Sequence, residues 1–499
     1  LNAANWRKQG APAWLDRLSG GSAYRGEIRV NGRHADIVIE SNLSGLSVDL
    51  PAPFSKKAEE SWPLRFERRN LVEAGRKKGR EGNALQEQTR FSLAGLANGE
   101  ILRHKTPSGF VVDRAAIAVG QSVTLPEQGV LLALQSERLD LDAWQAALAG
   151  VSGGSKDDKL AVPTVDAVSL KVGELIVHGY ALHDLKLNAG YKDASRSARG
   201  ARWGVAIDSR EASGEIAWEV NDAGTLTARL KRLTLDPAAF EGGAKRDPAG
   251  IQNDAKKKSQ INELPAVDLV AENFSVGQRR LGRLELQARN TAGVWRVDRL
   301  RTDNAGSGLT ASGEWNKVGA RPLTRFDFVF ETPDAGRSLE QFGYPGTVRG
   351  GSTKLSGNLT WNGSPVELDF PSLSGDLQVD VGKGQFLKLD PGAAGKLLGL
   401  ISLQGLPRRI TLDFKDVFSE GFAFDNIAGK LTIKQGVMRT ERLQIDGPSA
   451  RVVMRGEVDL QRETQRLSVN VQPELGGTAA LGVAVLNPVA GVATWVAHK

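Results

Sequence analysis

Apolar and polar residues alternate along almost the whole chain, and this alternation constrains the fold more than any other feature. Clear runs are Glu27-Ile28-Arg29-Val30, Arg325-Phe326-Asp327-Phe328 and Leu377-Gln378-Val379-Asp380. Because successive side chains of a β-strand point to opposite faces, each run predicts a strand with one apolar and one polar face. The 57 glycines among 499 residues suit the many turns that such strands need. The sequence therefore predicts an all-β protein.

A faint internal repeat indicates how the strands are organised. It spans Val168–Trp218, Leu269–Trp315 and Leu412–Leu460, and each copy ends in a strand that carries Gly-Glu: Gly214-Glu215, Gly313-Glu314 and Gly456-Glu457. Repeated units that cannot close their own core stack on their neighbours. The repeat predicts an elongated, twisted antiparallel sheet.

The alternation leaves two arrangements open for the apolar face of this sheet. It can be the core of a closed sandwich, or the inner wall of an open half-pipe that contacts acyl chains. In the second arrangement the candidate lining residues are Ile28, Val30, Leu170, Val172, Leu185, Leu187, Leu284, Leu286, Phe326, Phe328, Phe330, Leu412, Phe414, Leu431, Ile433, Leu467 and Val469.

Helical patterns are few. Short helices are predicted over 141–150 and 338–343, and the strongest helix is predicted over 391–405. Pro391 lies at the start of this helix and Gly405-Leu406-Pro407 at its end, which are typical boundary residues. Its apolar residues, predicted to cap one end of the sheet or to touch a membrane, are Leu397, Leu398, Leu400, Ile401 and Leu403.

The last part of the chain and three polar stretches stand apart from the strands. Residues 479–497 carry no charge and contain Pro488, so they predict two short apolar helices docked on the sheet or a segment inserted into a bilayer surface. Residues 76–88, 152–159 and 241–263 are predicted linkers.

No constellation of residues points to catalysis, a metal or a cofactor. The chain has no cysteine, and its five histidines form no zinc motif. The net charge of +7 comes from interleaved 65 basic and 58 acidic residues rather than a basic patch, which argues against a nucleic-acid partner. The basic runs at 76–78 and 256–258 lie in the predicted linkers. The chain is therefore predicted not to be an enzyme.

The C-terminal part of the chain resembles a known family. The segment Leu397–Arg409, with Leu412-Asp413-Phe414, Gly421–Asp425, Ile445–Pro448, Gly456–Leu460 and Asn487–Gly491, resembles the C-terminal region of the YhdP family within the AsmA-like proteins. Trp62-Pro63-Leu64 is similar to the same family more loosely. Residues 152–263 resemble the family only in their general sequence pattern.

The resemblance implies a taco-shaped β-groove with an apolar interior, which spans the periplasm and carries phospholipid between the inner and outer membranes. It implies these membranes and envelope proteins as partners, no catalytic residues, and an N-terminal membrane-anchoring helix that lies outside this chain. The alternative is an envelope assembly factor of the TamB type, which acts on outer-membrane proteins. The expected organisation is a β-groove segment over 1–150, a repeat unit over 160–240, repeat units over 264–390 and an AsmA-like C-terminal region over 391–499.

Overall fold

The computed structural model describes most of the chain as two compact units, Leu1–Trp218 and Glu219–Lys499. The boundary falls inside the segment 160–240 that the sequence predicts as one repeat unit. The described residues are 16–31, 34–71, 86–107, 109–148, 165–177, 179–191, 202–219, 224–236, 264–291, 294–318, 321–365, 368–387, 421–462, 464–473 and 494–498.

Unit 1 consists almost entirely of strands. They are β1 (Leu18–Gly20), β2 (Arg25–Asn31), β3 (His34–Ser41), β4 (Leu46–Val48), β5 (Leu64–Leu71), β6 (Gln86–Leu93), β7 (Ala97–Thr106), β8 (Gly109–Val119), β9 (Gly129–Asp140), β10 (Ala167–Val177), β11 (Tyr180–Tyr191), β12 (Arg202–Asp208) and β13 (Ala212–Glu219). Strand β6 begins at Gln86, so the predicted linker 76–88 overlaps the strand by its last three residues.

The main sheet of unit 1 is a linear series in which each strand pairs with the next. It runs from β2 through β3, β5, β6, β7, β8, β9, β10 and β11 to β12. All pairs are antiparallel except β8–β9 and β9–β10, which are parallel. Strands β1 and β4 form a separate two-stranded sheet.

Unit 2 repeats this plan. Its strands are β14 (Thr225–Leu235), β15 (Ala266–Val276), β16 (Arg279–Thr291), β17 (Val294–Asn304), β18 (Ser307–Val318), β19 (Arg321–Thr332), β20 (Val348–Gly350), β21 (Thr353–Asn362), β22 (Ser374–Val381), β23 (Gly384–Phe386), β24 (Phe422–Phe424), β25 (Asn426–Lys434), β26 (Val437–Asp446), β27 (Ala450–Asp459), β28 (Thr464–Pro473) and β29 (Thr494–His498).

The main sheet of unit 2 runs from β14 through β15–β19, β21, β22 and β25–β28 to β29. Only β14–β15 is parallel. Strands β20, β23 and β24 form a small second sheet. Residues 494–497 of the uncharged tail lie in strand β29, so the prediction of helices was wrong for these four residues.

The predicted all-β, mainly antiparallel fold is confirmed, and both main sheets are open. Among the described strands of each unit, the first and last members of the series do not pair with each other. Parallel neighbours must re-enter the sheet from the same end, and this requires a long connection. The predicted linkers 152–159 and 241–263 lie within two such connections, between β9 and β10 and between β14 and β15.

The described part of the chain contains two short α-helices, close to where the sequence predicts them. Helix α1 (Leu141–Leu148) is held against a loop by Trp144, whose indole N–H donates to the Ala52 carbonyl at 3.1 Å. Helix α2 (Ala335–Gln341) begins after Asp334, whose carboxylate accepts from the Arg337 N–H at 3.1 Å. Neither of these helices has the length and apolar content to cross a membrane. The predicted helix 391–405 lies outside the described residues.

The turn between β12 and β13 gives the stability of unit 1 a dependence on pH. Partial burial raises the pKa of Glu211, but hydrogen bonds from the backbone N–H and ring of His183, and from Ser209, outweigh it and hold the pKa below its ordinary value. A carboxyl group with a lowered pKa stabilises the fold above its unfolded-state pKa of about 4.3, and this stabilisation is lost as pH falls through the folded pKa.

We expect Glu211→Gln to lower the thermal unfolding midpoint at pH 7 and to have a smaller effect below about pH 4, where the wild-type carboxyl is also protonated. Melting curves of both proteins from pH 3 to 8 measure this difference. Glu215→Gln, on the neighbouring strand, is the matched control. An equal effect of Glu211→Gln at every pH would contradict the assignment.

Candidate functional site

The strand register of unit 1 aligns apolar residues into rows that run across the strands. Residues that are directly opposite in a sheet point to the same face, so a row of such partners defines one face. One row extends unbroken from β2 to β12: Gly26, Ile39, Phe66, Phe91, Gly99, Ile117, Leu132, Val168, Ala189 and Val205.

A second row lies two residues away on the same face. It extends from β5 to β12 through Leu64, Leu93, Ala97, Val119, Leu134, Leu170, Leu187 and Ile207. We call the face that these two rows define the apolar face of unit 1.

Unit 2 has the same feature over more strands. Its longest row runs from β14 to β28 through Leu230, Ala271, Leu284, Thr302, Leu309, Phe330, Leu355, Val379, Gly429, Leu443, Met454 and Val469. Beside it run Ala228, Leu269, Leu286, Leu300, Ala311, Phe328, Gly357, Leu377 and Leu431. Only Thr302 among them carries a polar side chain. These rows define the apolar face of unit 2.

The opposite face of unit 2 is polar and ion-paired. One of its rows reads Ser312, Asp327, Asn358, Asp376, Thr432, Arg439, Glu457 and Arg466. Within it, Arg439 Nε lies 3.1 Å from Glu457 Oε2. The two faces of this sheet therefore have opposite chemistry along their length, which suits water on one side and apolar material on the other.

All the described candidate lining residues lie on these apolar faces, but their exposure divides them into three groups. Buried members are Val172, Leu185, Leu284 and Ile433. Partly exposed members are Leu170, Leu187, Leu286, Phe326, Phe328, Phe330, Leu431, Leu467 and Val469. Exposed members are Ile28 and Val30, at 68% and 70%. Leu412, Phe414 and the helix residues Leu397, Leu398, Leu400, Ile401 and Leu403 lie outside the described residues.

Part of the apolar face of unit 2 packs against the protein itself. Leu373, which follows a short 3-10 turn at Phe370–Ser372, is 1% exposed and packs with Trp361, Leu377, Ile433 and Met438. Phe326 and Phe328 pack against this cluster and remain partly exposed. The buried group therefore contributes mainly to stability, and the partly exposed group provides surface that a ligand can reach.

This division predicts separate effects for the two groups. We expect Ile433→Val to lower the free energy of unfolding by about 1 kcal/mol, because it deletes one buried methylene, and to leave any co-purifying ligand unchanged. Chemical denaturation and mass spectrometry measure the two quantities. Lys434→Ala, at the exposed neighbouring position, is the control. Loss of ligand in Ile433→Val at unchanged stability would contradict the division.

An aromatic row at one margin of the apolar face of unit 2 was not predicted. Trp295, Trp315, Thr324 and Trp361 are direct partners on four successive strands of the sheet. The indoles of Trp295 and Trp361 donate to the carbonyls of Pro265 and Ser364 at 3.1 and 3.0 Å. Trp315 is 6% exposed, and its N–H has no partner among the described residues.

The described residues contain no cluster of histidine and acidic side chains that could hold a metal ion. The described strands form open sheets whose apolar face few polar groups interrupt. In unit 2 the opposite face is charged. These properties define a class of open-sheet proteins with a long apolar face.

The chain belongs to the YhdP protein family, whose profile matches residues 1–499. The intermembrane phospholipid transporter YhdP of Escherichia coli (strain K12) is 34% identical to it over 198 residues, which cover 40% of this chain and 16% of that relative. The matched stretch thus spans less than a fifth of the relative's length. No solved structure matches the chain.

Proposed function

We propose that this chain is a section of a periplasmic groove that carries phospholipids between the inner and outer membranes. The observation that carries the proposal is the set of apolar rows that cross every described pairing from β14 to β28 in unit 2 and from β2 to β12 in unit 1. The name and activity of the E. coli relative support it.

The acyl chains lie on the partly exposed residues of the apolar faces. Each methylene that leaves water contributes about 0.8 kcal/mol, which offsets the cost of taking a lipid out of a bilayer. Neighbouring strands are about 4.8 Å apart. A lipid that moves across the strands therefore meets a similar wall at each step, and its displacement requires no chemical reaction by this chain.

The candidate lining residues have this role in the proposal, including Leu412 and Phe414. The predicted helix with Leu397 to Leu403 caps one end of the groove or touches a membrane. The four predicted segments 1–150, 160–240, 264–390 and 391–499 form successive sections. The protein is anchored in the inner membrane by an N-terminal helix outside this chain, as the family resemblance implies.

Native mass spectrometry of the chain purified without detergent, with extraction and identification of bound lipid, tests the proposal. Several phospholipids per chain are expected. A lipid-free chain that also fails to take up phospholipid from vesicles would refute the groove and indicate apolar faces that pack only against protein.

A second function is favoured by the edge of the sheet in unit 1. Strand β2 pairs with β3 and with no other described strand, and it exposes Ile28 and Val30. An open edge can template an additional strand. This surface suits the TamB-type alternative, an assembly factor for outer-membrane proteins. Photo-crosslinking from Arg29 to a nascent barrel protein in cells would support it, and crosslinks to lipid alone would exclude it.

A further inference from the structure

The apolar face of unit 1 carries charged side chains toward one end of its strands. On β5, Leu64, Phe66 and Arg68 alternate with outward residues, so Arg68 lies on the same face as Phe66. Its direct partners are Ile37 and Thr89. A cation therefore borders the apolar rows described above.

A partly buried ion pair lies one step further along the strands. Glu87 on β6 is 6% exposed and directly opposite Arg103 on β7. Arg103 donates from Nε and Nη2 to the same carboxylate oxygen, at 2.8 and 2.6 Å. Its guanidinium carbon lies 4.3 Å from the centre of the Phe110 ring. The carboxylate and the ring hold Arg103 in place, and Glu87 neutralises its charge.

Arg68 has no such partner in the described part of the chain. Among the described residues it forms no ion pair, and its Nε is buried without a hydrogen bond. The outward-facing arginines of the same strand differ, because Arg65 pairs with Glu40 and Arg69 pairs with Glu67. Leaving a buried donor of a cation unpaired is costly. An acceptor supplied by a ligand would satisfy it.

The surroundings indicate what that ligand is. A guanidinium binds phosphate oxygens through paired donors. On the same face, Ile28 is opposite Ile37 and exposes 68% of its surface. Arg68 thus lies between the exposed surface of Ile28 and the apolar rows. A cation in this position can bind a phosphate group while the acyl chains joined to that phosphate contact apolar side chains.

We propose that Arg68 binds the phosphodiester of a phospholipid whose acyl chains lie on the apolar face of unit 1. The Arg103–Glu87 pair stays intact and flanks the phosphate. This inference rests on the proposed function, because it assigns a headgroup position to a lipid that the groove carries.

The test compares two probes with the same oleoyl chain: lysophosphatidylglycerol, which has a phosphodiester, and monooleoylglycerol, which lacks one. Binding to the whole chain is measured by its tryptophan fluorescence, below the micelle concentrations. Wild-type chain is expected to bind the phosphate-bearing probe about tenfold more tightly, since one charge-assisted hydrogen bond contributes at least that much. sn-Glycerol 3-phosphate, which has no acyl chain, is expected to show no binding in the same range.

Substitutions of arginine identify the residue responsible. Arg68→Met is expected to remove the tenfold preference and leave the affinity for monooleoylglycerol unchanged, whereas Arg68→Lys keeps most of the preference. Arg65→Met, on the outward face of the same strand, is the matched control. Circular dichroism and thermal melting verify that each variant is folded.

The outcomes are distinct. Equal affinity of wild-type chain for both oleoyl probes, or an unchanged preference in Arg68→Met, overturns the headgroup site while the groove stands. Binding of glycerol 3-phosphate as tight as that of the lipid assigns the site to a free phosphate ester and overturns the lipid assignment. Failure of both oleoyl probes to bind any variant overturns the proposed function itself.

Discussion

The affinity for phospholipid at the position of Phe328 is expected to fall at least about tenfold when Phe328 is replaced by aspartate, so that the chain loses the lipid held there. Phe328 is partly exposed on the apolar face of unit 2, and its direct partners across the strands are Ala311 and Gly357. These neighbours are small, so the ring supplies much of the apolar contact at this position. A carboxylate there keeps its water, and an acyl chain that displaced this water would lose several kcal/mol, more than a tenfold change in affinity.

Two control substitutions separate charge from packing and from position. Phe328→Ala removes the ring without adding charge and is expected to reduce bound lipid only modestly. Val329→Asp places the same charge on the next residue, which lies on the polar face between Thr310 and Ser356, and is expected to leave bound lipid unchanged. Lipid extraction and quantification per chain provide the measurement. Equal losses in Phe328→Asp and Val329→Asp would mean that the apolar face does not hold the lipid.

The second large effect is expected from Gly456→Ala. Gly456 lies within β27 at a φ of +138°, and a Cβ built there would lie 2.1 Å from the Arg466 carbonyl oxygen of β28 and 2.9 Å from the Leu467 Cα. The backbone conformation costs a residue with a side chain about 1–3 kcal/mol. The contact forces the two paired strands apart in addition. We expect the free energy of unfolding to fall by about 3 kcal/mol or more, measured by chemical denaturation.

Gly346→Ala is the matched control for this substitution. Its φ is +68°, and a Cβ there would have no neighbour within 4 Å. Alanine at this position meets backbone strain of about 1–2 kcal/mol without a steric clash, so the difference between the variants reports the contact between β27 and β28. A loss in Gly346→Ala as large as that in Gly456→Ala would refute the steric explanation.

The sequence predicts the faces of the sheet well because the period of a strand is set by the backbone. Phe326, Phe328 and Phe330 alternate with outward residues in the sequence, and they lie on one face in the structure. The glycine of the Gly-Glu pair could be recognised in the sequence because it recurs in each copy of the repeat. At Gly456 the neighbouring strand approaches too closely for a side chain.

The sequence does not predict which strands become neighbours or how deeply each residue is buried. The parallel pairing of β14 with β15 depends on the path of the connection between them, and alternation contains no information about that path. Ile28 and Ile433 have the same pattern around them. Ile28 is 68% exposed on an edge strand, whereas Ile433 is 1% exposed beneath Leu373. Likewise, Arg68 is distinguished from the paired Arg65 only by the face on which it lies.

The rows of direct partners have a consequence for the rate of flow. In the proposed groove, a lipid that crosses from β14 to β28 would pass the strands one after another, so the resistances of the strands to its movement would add. The total resistance is dominated by the largest one. A second charged substitution at a partly exposed residue of the same row, such as Leu286→Asp added to Phe328→Asp, would therefore lower the rate only about twofold further if the two barriers are equal. Reversal of the second substitution alone would not restore lipid movement either, because the barrier from Phe328→Asp would remain.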